Sequence, residues 1–224
     1  MNAAAVRGSK AQPHTPERIP PMFKFLGSVA MAWALLLGGA AHATGTPDAL
    51  IQKLSQEVID AVKADPAIQA GDIARINALV DAKVMPHVNF QKMTASAVGR
   101  HWRSATPEQR ERLQAEFKTL LVRTYSGALA EVKDQSVALR PFRAAPTDTD
   151  VVVQTEVRGR GDPIQLDYRL EKTADGWRIY DVNVLGVWLV QQYRTSFNQE
   201  IAQVGIDGLI ARLAERNKAA ATRS

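Results

Sequence analysis

The order of apolar and polar residues divides the chain into a helical part, a stranded part and a second helical part. Thr46-Pro47 places an N-cap residue and an N1 proline at the start of the first predicted helix, whose inner face reads Leu50, Leu54, Val58, Ala61 and Val62. Ile73, Ile76, Leu79 and Val80 keep helical spacing through a second segment, from Gly71 to Val84, that Pro86 ends. A short helical segment covers Phe90 to Val98. The longest helix begins at Thr106-Pro107-Glu108-Gln109, where Thr106 caps, Pro107 takes the first position and Gln109 completes a capping box. Its inner face, Leu113, Phe117, Leu120, Leu121, Tyr125, Ala128 and Leu129, is a wide apolar stripe.

From about Gln135 the period changes from 3.6 to 2. Four strands are predicted, over residues 136–143, 149–158, 163–172 and 177–185. The third is the clearest: Ile164, Leu166, Tyr168 and Leu170 point one way, and Gln165, Asp167, Arg169 and Glu171 the other. Gly159-Arg160-Gly161-Asp162-Pro163 and Asp175-Gly176 are short links, so the strands form an antiparallel meander with one dry and one wet face. Two helices close the chain, over 187–203 and 207–218, with Gly205 between them. The expected fold class is α+β, a four-stranded antiparallel sheet flanked by N-terminal and C-terminal helices.

The first 43 residues differ from the rest. Lys24 precedes an apolar run from Phe25 to Ala41, and Ala41-His42-Ala43 follows with the small-x-small pattern of a signal-peptidase site. The run is marginal for a bilayer span, and Gly38 and Gly39 weaken its end. A cleavable secretory signal over 1–43 is expected, with cleavage near Ala43-Thr44 and one domain over 44–224; Met22 offers a second start that leaves a compact signal. Residues 1–43 hold four of the 28 basic and one of the 23 acidic residues, so without them the net charge falls from +5 to +2. Much of the basic character that would suggest nucleic acid therefore belongs to the signal. The chain has no cysteine, which removes disulfides, thiolate metal sites and thiol nucleophiles.

Other chemistry is sparse. Beyond the signal the histidines are His87 and His101, without a second ligand pattern for zinc, and they are read as helix-end or hydrogen-bonding residues. No G-x-S-x-G elbow, Walker A loop or G-x-G-x-x-G occurs, and Gly159-Arg160-Gly161 reads as turn chemistry. Trp102, Trp177 and Trp188, with Tyr125, Tyr168, Tyr180 and Tyr193, either line a pocket or fill a core; residue types alone leave both open.

Several segments, taken in order, resemble one family. Val84-Met85-Pro86-His87-Val88-Asn89-Phe90, Gly99-Arg100-His101-Trp102-Arg103 and Ala105-Thr106-Pro107-Glu108-Gln109 are similar to the central signature of the MlaC-like family. These are periplasmic phospholipid shuttles, also called toluene-tolerance auxiliary proteins. Leu120 to Tyr125, Asp167 to Leu170, Gly176 to Val182, Gly186 to Val190, Gln192 to Phe197 and Gly205 to Leu209 continue the resemblance across nearly all of residues 47–216. Two positions depart from it: Asn89 stands where the family usually has Asp, and Trp188 where a small residue is common.

The resemblance implies a twisted sheet wrapped by helices, with phospholipid tails in an apolar cavity between them and the head group near solvent. It implies a periplasmic carrier that exchanges lipid with an outer-membrane lipoprotein–porin complex and an inner-membrane ABC complex bearing MCE domains, maintaining outer-membrane lipid asymmetry. It implies no cofactor, no nucleic-acid partner and no catalysis by the carrier itself. The residues expected to touch lipid are Phe117, Leu120, Leu121 and Tyr125 from the long helix and Val151, Val153, Leu166, Tyr168, Val182 and Val184 from the sheet. Trp102 and Val187 are weaker candidates. Arg100, Arg103 and Arg123 are candidates for a head-group phosphate. Two other classes are compatible with the residues alone: an envelope adaptor with a packed core and no ligand, and a phospholipid-directed hydrolase.

Overall fold

The computed structural model describes residues 45–221. The expected signal over 1–43 and its cleavage site lie outside them. Helix α1 (Pro47–Ala64) starts with Pro47 at its first position, as the sequence predicts, although the Thr46 side chain makes no capping bond. The second predicted segment, Gly71 to Val84, is helical, and an additional single turn precedes it. Asp65 caps a single turn, α2 (Pro66–Gln69), and Asp72 caps α3 (Ile73–Leu79) by accepting from Ala74 N and Arg75 N. Gly71 between them takes a left-handed φ of 84°, which a side chain would resist. From α3 the helical path widens to a π-type turn at Val80–Val84 and tightens to a 3-10 turn at Met85–His87. Helix α4 (Phe90–Val98) is capped by Asn89, and α5 (Pro107–Ala130) carries the reciprocal Thr106–Gln109 capping box that its sequence predicts.

Five strands follow: β1 (Ser136–Leu139), β2 (Asp150–Arg158), β3 (Ile164–Thr173), β4 (Gly176–Val184) and β5 (Val187–Trp188). They pair antiparallel in chain order, which corrects the expected four-stranded sheet to five. The extra strand lies where a helix over 187–203 was expected to start. Its two residues pair with Val184 and Asn183 and are too few to show a period of 2. β1 is also shorter than expected. Arg140 N still donates to Gln154 O at 2.9 Å, but Pro141 has no N–H to continue the ladder.

The last helical element, α6 (Leu189–Ala221), breaks at Gly205 with a φ of 72°. Arg216 pairs with Glu200 across this break, 16 residues away. In a straight helix that separation would be about 24 Å, so the two halves of α6 fold back on each other, as the sequence expectation of two helices requires.

Strand register sorts the side chains. Val151, Val153 and Thr155 of β2 lie opposite Leu170, Tyr168 and Leu166 of β3, which in turn lie opposite Ile179, Val182 and Val184 of β4. These form the dry face. α1 covers one part of it, with Ile51 and Leu54 packed against Val151, Val153, Leu170, Trp177 and Ile179. A second cluster is helical and centres on Phe117, with Met93, Leu113, Phe197, Ile201 and Leu213; Val182 and Val88 touch both clusters. A third joins α1, α2, α3 and α5 through Val62, Ile68, Ile76 and Val122. Tyr180 is an extra residue in β4, between Ile179 opposite Leu170 and Asp181 opposite Arg169. At this bulge the chain entering α4 closes the sheet edge, since Asn89 N donates to Ile179 O at 2.8 Å.

Asn89 also explains its own departure from Asp. Its amide nitrogen donates to Glu171 Oε1 at 2.6 Å, beside Lys92 Nζ at 2.6 Å from Oε2. An Asp here would place two carboxylates together. Asn89→Asp is therefore expected to lower Tm at pH 7, with the deficit shrinking on acidification as the carboxylate pair takes up a proton. A thermal melt series over pH checks this, and a deficit that stays constant with pH contradicts it.

His87 offers a second pH test. Burial holds its pKa below the ordinary 6.5, helped by the positive charges of Arg178 and Lys53 and opposed by Glu57. The unfolded chain takes up this proton more readily than the folded one, so His87 costs stability as pH falls through and below 6.5. His87→Gln is expected to flatten the loss of Tm in that window and to leave Tm above pH 8 nearly unchanged. An identical acid slope in both proteins contradicts the assignment.

Candidate functional site

The dry face is not covered evenly. Where α1 lies over it, Val151, Val153, Leu170 and Ile179 are buried. Along β3 and β4 the cover thins: Tyr168, Val182, Leu166 and Val184 are half-buried. At the end of the same face Ile164 is 45% exposed and Val187 48%. These two follow directly in register, since Leu166 lies opposite Val184 and Val184 opposite Val187. The apolar surface thus runs from a closed end under α1 to an end open to solvent.

The helices supply a matching set of half-buried residues. Phe117 is fully buried, with its ring edge-on to Tyr193 at 5.0 Å and to Phe197 at 5.2 Å. Leu120 and Leu121 pack against that aromatic cluster but remain half-buried, as do Val190 and Tyr193 of α6. Tyr125 is half-buried one turn further along α5. The expected residues therefore fall into three groups. Val151 and Val153 are sealed against α1, Phe117 is sealed within the helical cluster, and Leu120, Leu121, Tyr125, Leu166, Tyr168, Val182 and Val184 are half-buried. Of these ten, Val182 is the one placed against both the sheet–α1 cluster and the helical cluster.

Besides the Thr155 hydroxyl, which donates to Leu166 O, this apolar surface carries three phenols. Desolvation pushes Tyr168 up to about 12, against the opposing hydrogen bonds of Ser55 on α1 and Thr155 on β2. Burial also raises Tyr125 and Tyr193, with Thr124 bonding to Tyr193 in opposition. All three stay neutral, and each offers one hydroxyl to an otherwise apolar surface.

Other candidates are placed elsewhere. Trp102 packs in the helical cluster with the Arg110 guanidinium 5.4 Å from its ring centre. Trp188 lies on the wet face, opposite Asn183, with the Arg169 guanidinium 3.9 Å from its ring. That Arg169 is paired at 3.1 Å with the buried Asp181, which also accepts from Val190 N and so anchors the start of α6 to the sheet. Arg100 and Arg103 are exposed in the turn Gly99–Arg103. Arg123 is half-buried beside a recess of about 450 Å³ formed with the α2–α3 turn, and its buried Nε has no partner. A larger recess, of about 560 Å³, is lined by the polar and charged residues Glu131, Lys133, Asp134, Gln135 and Arg160, none of which belongs to the apolar face. His101 Nε2 accepts from Arg100 Nε at 3.4 Å. Among the described residues no group of His, Cys, Asp or Glu is placed to hold a metal ion, and no helix is long and apolar enough to cross a membrane.

Sequence reasoning did not single out the cover that α1 gives to β2, nor the open end at Ile164 and Leu185. Ile164 is visible in the period-2 pattern of its strand. The exposure of Leu185 depends on the two-residue turn into β5, which the pattern does not show.

The fold and the sequence have known relatives. A solved structure, the phospholipid-binding protein from Ralstonia solanacearum in complex with a phospholipid, is 43% identical and superposes with a TM-score of 0.77, covering 79% of this chain and 99% of that one. The intermembrane phospholipid transport system binding protein MlaC of Haemophilus influenzae is 22% identical over 184 residues, 80% of this chain and 86% of its own length. The toluene tolerance protein ttg2D of Pseudomonas putida is 25% identical over 185 residues, with the same coverage. The sequence pattern of the family described as MlaC protein matches residues 52–215, and the chain belongs to that family.

Proposed function

We propose that this protein is a periplasmic phospholipid carrier, with acyl chains held between the β3–β4 part of the dry face and helices α5 and α6. The observation that carries this is the graded exposure of one apolar face. Tyr168, Val182, Leu166 and Val184 face inward yet remain half-buried, as do Leu120, Leu121, Tyr125 and Tyr193 on the helical side. A core closed for stability alone would bury such residues. The relative solved with a phospholipid, at 43% identity, supports the same ligand class. Phe117, Val151 and Val153 back this surface from their fully packed positions.

The energetics require an enclosing site. Each buried CH₂ group is worth about 0.8 kcal/mol, and two ordinary acyl chains hold roughly 30, so exposing them to water costs on the order of 20 kcal/mol. The carrier matches most of that burial without exceeding what a bilayer provides, because it also releases the lipid. The neutral phenols of Tyr125, Tyr168 and Tyr193 bind and orient; none is activated as a nucleophile. The cargo passes between the inner-membrane ABC complex with its MCE domains and the outer-membrane lipoprotein–porin complex, a role supported by the MlaC relative's name as an intermembrane phospholipid transport component.

Native mass spectrometry of the protein purified without detergent tests this. The expected result is an added mass matching a diacyl phospholipid, near one per chain. Val184→Glu, at a half-buried position, is expected to retain a cooperative melt while losing most of the bound lipid. An empty protein that also takes no lipid from vesicles rejects the carrier assignment in favour of a ligand-free adaptor. Hydrolysis of the added lipid on incubation would instead make it an enzyme.

A further inference from the structure

The last helical element begins without a cap of its own. Trp188 stands immediately before Leu189, the first residue of α6, and an indole offers no oxygen to the unpaired amides of a first helical turn. The acceptor comes from the sheet instead. Asp181 on β4 accepts from Val190 N at 3.0 Å, the bond that an N-cap side chain makes at the second helical position. Asn183, two residues on and also buried, accepts from Gly186 N at 2.8 Å. Two polar side chains of one strand thus hold the chain as it leaves the sheet and enters the helix.

A carboxylate in this place is expensive. Asp181 is 1% exposed, and a charge taken out of water needs a full set of partners. It has three: Val182 N at 2.9 Å, Val190 N, and the Arg169 guanidinium at 3.1 Å. The Trp188 ring lies 3.9 Å from that guanidinium and covers one side of the pair. A serine at position 188 would cap α6 locally without burying a charge. The cap borne by the sheet adds dependence: the start of α6 is fixed while Asp181, Arg169 and Trp188 stay together.

The segment that depends on this joint faces the apolar surface. Among the described residues, the bond to Asp181 is the one hydrogen bond from the first two turns of α6 to the sheet. Those turns carry Val190 and Tyr193, both half-buried, and Val187 just before them is 48% exposed at the open end of the dry face. Tyr193 is held a second time, by the Phe117 ring at 5.0 Å. From Phe197 onward α6 is packed into the cluster around Phe117. Val190 is therefore the half-buried residue whose place hangs most directly on Asp181.

We infer that Asp181 is a positioning residue for lipid exchange: by capping α6 from the sheet it keeps Val190 over the acyl chains, and the strength of that cap sets how fast lipid leaves. The inference rests on the carrier assignment for its cargo.

The test measures release of fluorescently labelled phosphatidylethanolamine from preloaded protein into excess phosphatidylcholine vesicles, well below Tm. Asp181→Ala is expected to release lipid about fivefold faster than wild type while still purifying with lipid near one per chain. Amide hydrogen exchange should rise over 190–193 and stay unchanged over 209–213. Adding Trp188→Ser gives the helix a local acceptor, so the double variant should return to within about twofold of the wild-type rate, although Arg169 remains without its carboxylate. Asp181→Asn keeps the shape and a weaker, neutral acceptor, so it covers the case in which Asp181→Ala does not fold; release about twofold faster is expected from it. Wild-type release from the Asp181 variants, even with faster exchange over 190–193, overturns the inference, because the cap is then structural only. A double variant as fast as Asp181→Ala overturns it too, since release then follows the lost ion pair and not the cap. So does exchange that rises equally over 209–213. A wild-type protein that carries no lipid and accepts none rejects the carrier assignment and the inference with it, whereas a loaded wild type with unaltered variants rejects the inference alone.

Discussion

The packing of α1 on β2 is the contact on which the arrangement of the rest depends. An antiparallel sheet with one dry face needs a cover of matching length, and α1 provides it only over Val151, Val153, Leu170, Trp177 and Ile179. Helices α4, α5 and α6 gather around Phe117 and meet the sheet through Val182 and Val88. Two apolar centres therefore share one face without merging. Leu166, Tyr168, Val182 and Val184 stay between closed core and solvent because neither centre reaches far enough to seal them.

Polar contacts fix where those two centres sit. Asp181 ties the start of α6 to the sheet through Val190 N and is paired with Arg169, over which Trp188 lies. Asn89 caps α4, donates to Glu171 and receives the sheet edge through Ile179. Both devices sit at the bulge in β4, where one extra residue re-aims the strand. The helical centre is thus tied to the sheet by polar contacts at the bulge instead of being pressed flat against it.

Much of this was legible from residue order. The box Thr106–Gln109 and the alternation of Ile164 to Leu170 are local signals, and local hydrogen bonds realise them. Gly205 likewise marked the break in α6. The failures share a cause. The fifth strand has only two residues, an unpredicted single turn α2 is started by the Asp65 cap ahead of the second predicted helix, and Pro141 shortens β1 through a missing donor. Each depends on which partner the backbone finds, and periodicity carries no information about partners. The candidate site was legible as a set of apolar residues. Its division into sealed and half-buried members was not, because that depends on how far α1 extends over a strand almost a hundred residues later in the chain.

The doubled-back α6 has a consequence for how the molecule is made. Phe197, Ile201, Leu209, Ile210 and Leu213 all come from this final 33-residue element, and together they complete the core around Phe117. Asn217, near its end, reaches Glu116 in the middle of α5. Until these residues leave the ribosome, the aromatic centre lacks its α6 wall, although α5 can already pack on α3 through Val122 and Ile76. The cluster around Phe117 is therefore completed later in synthesis than the cluster of α1 with the sheet, which needs no residue of α6.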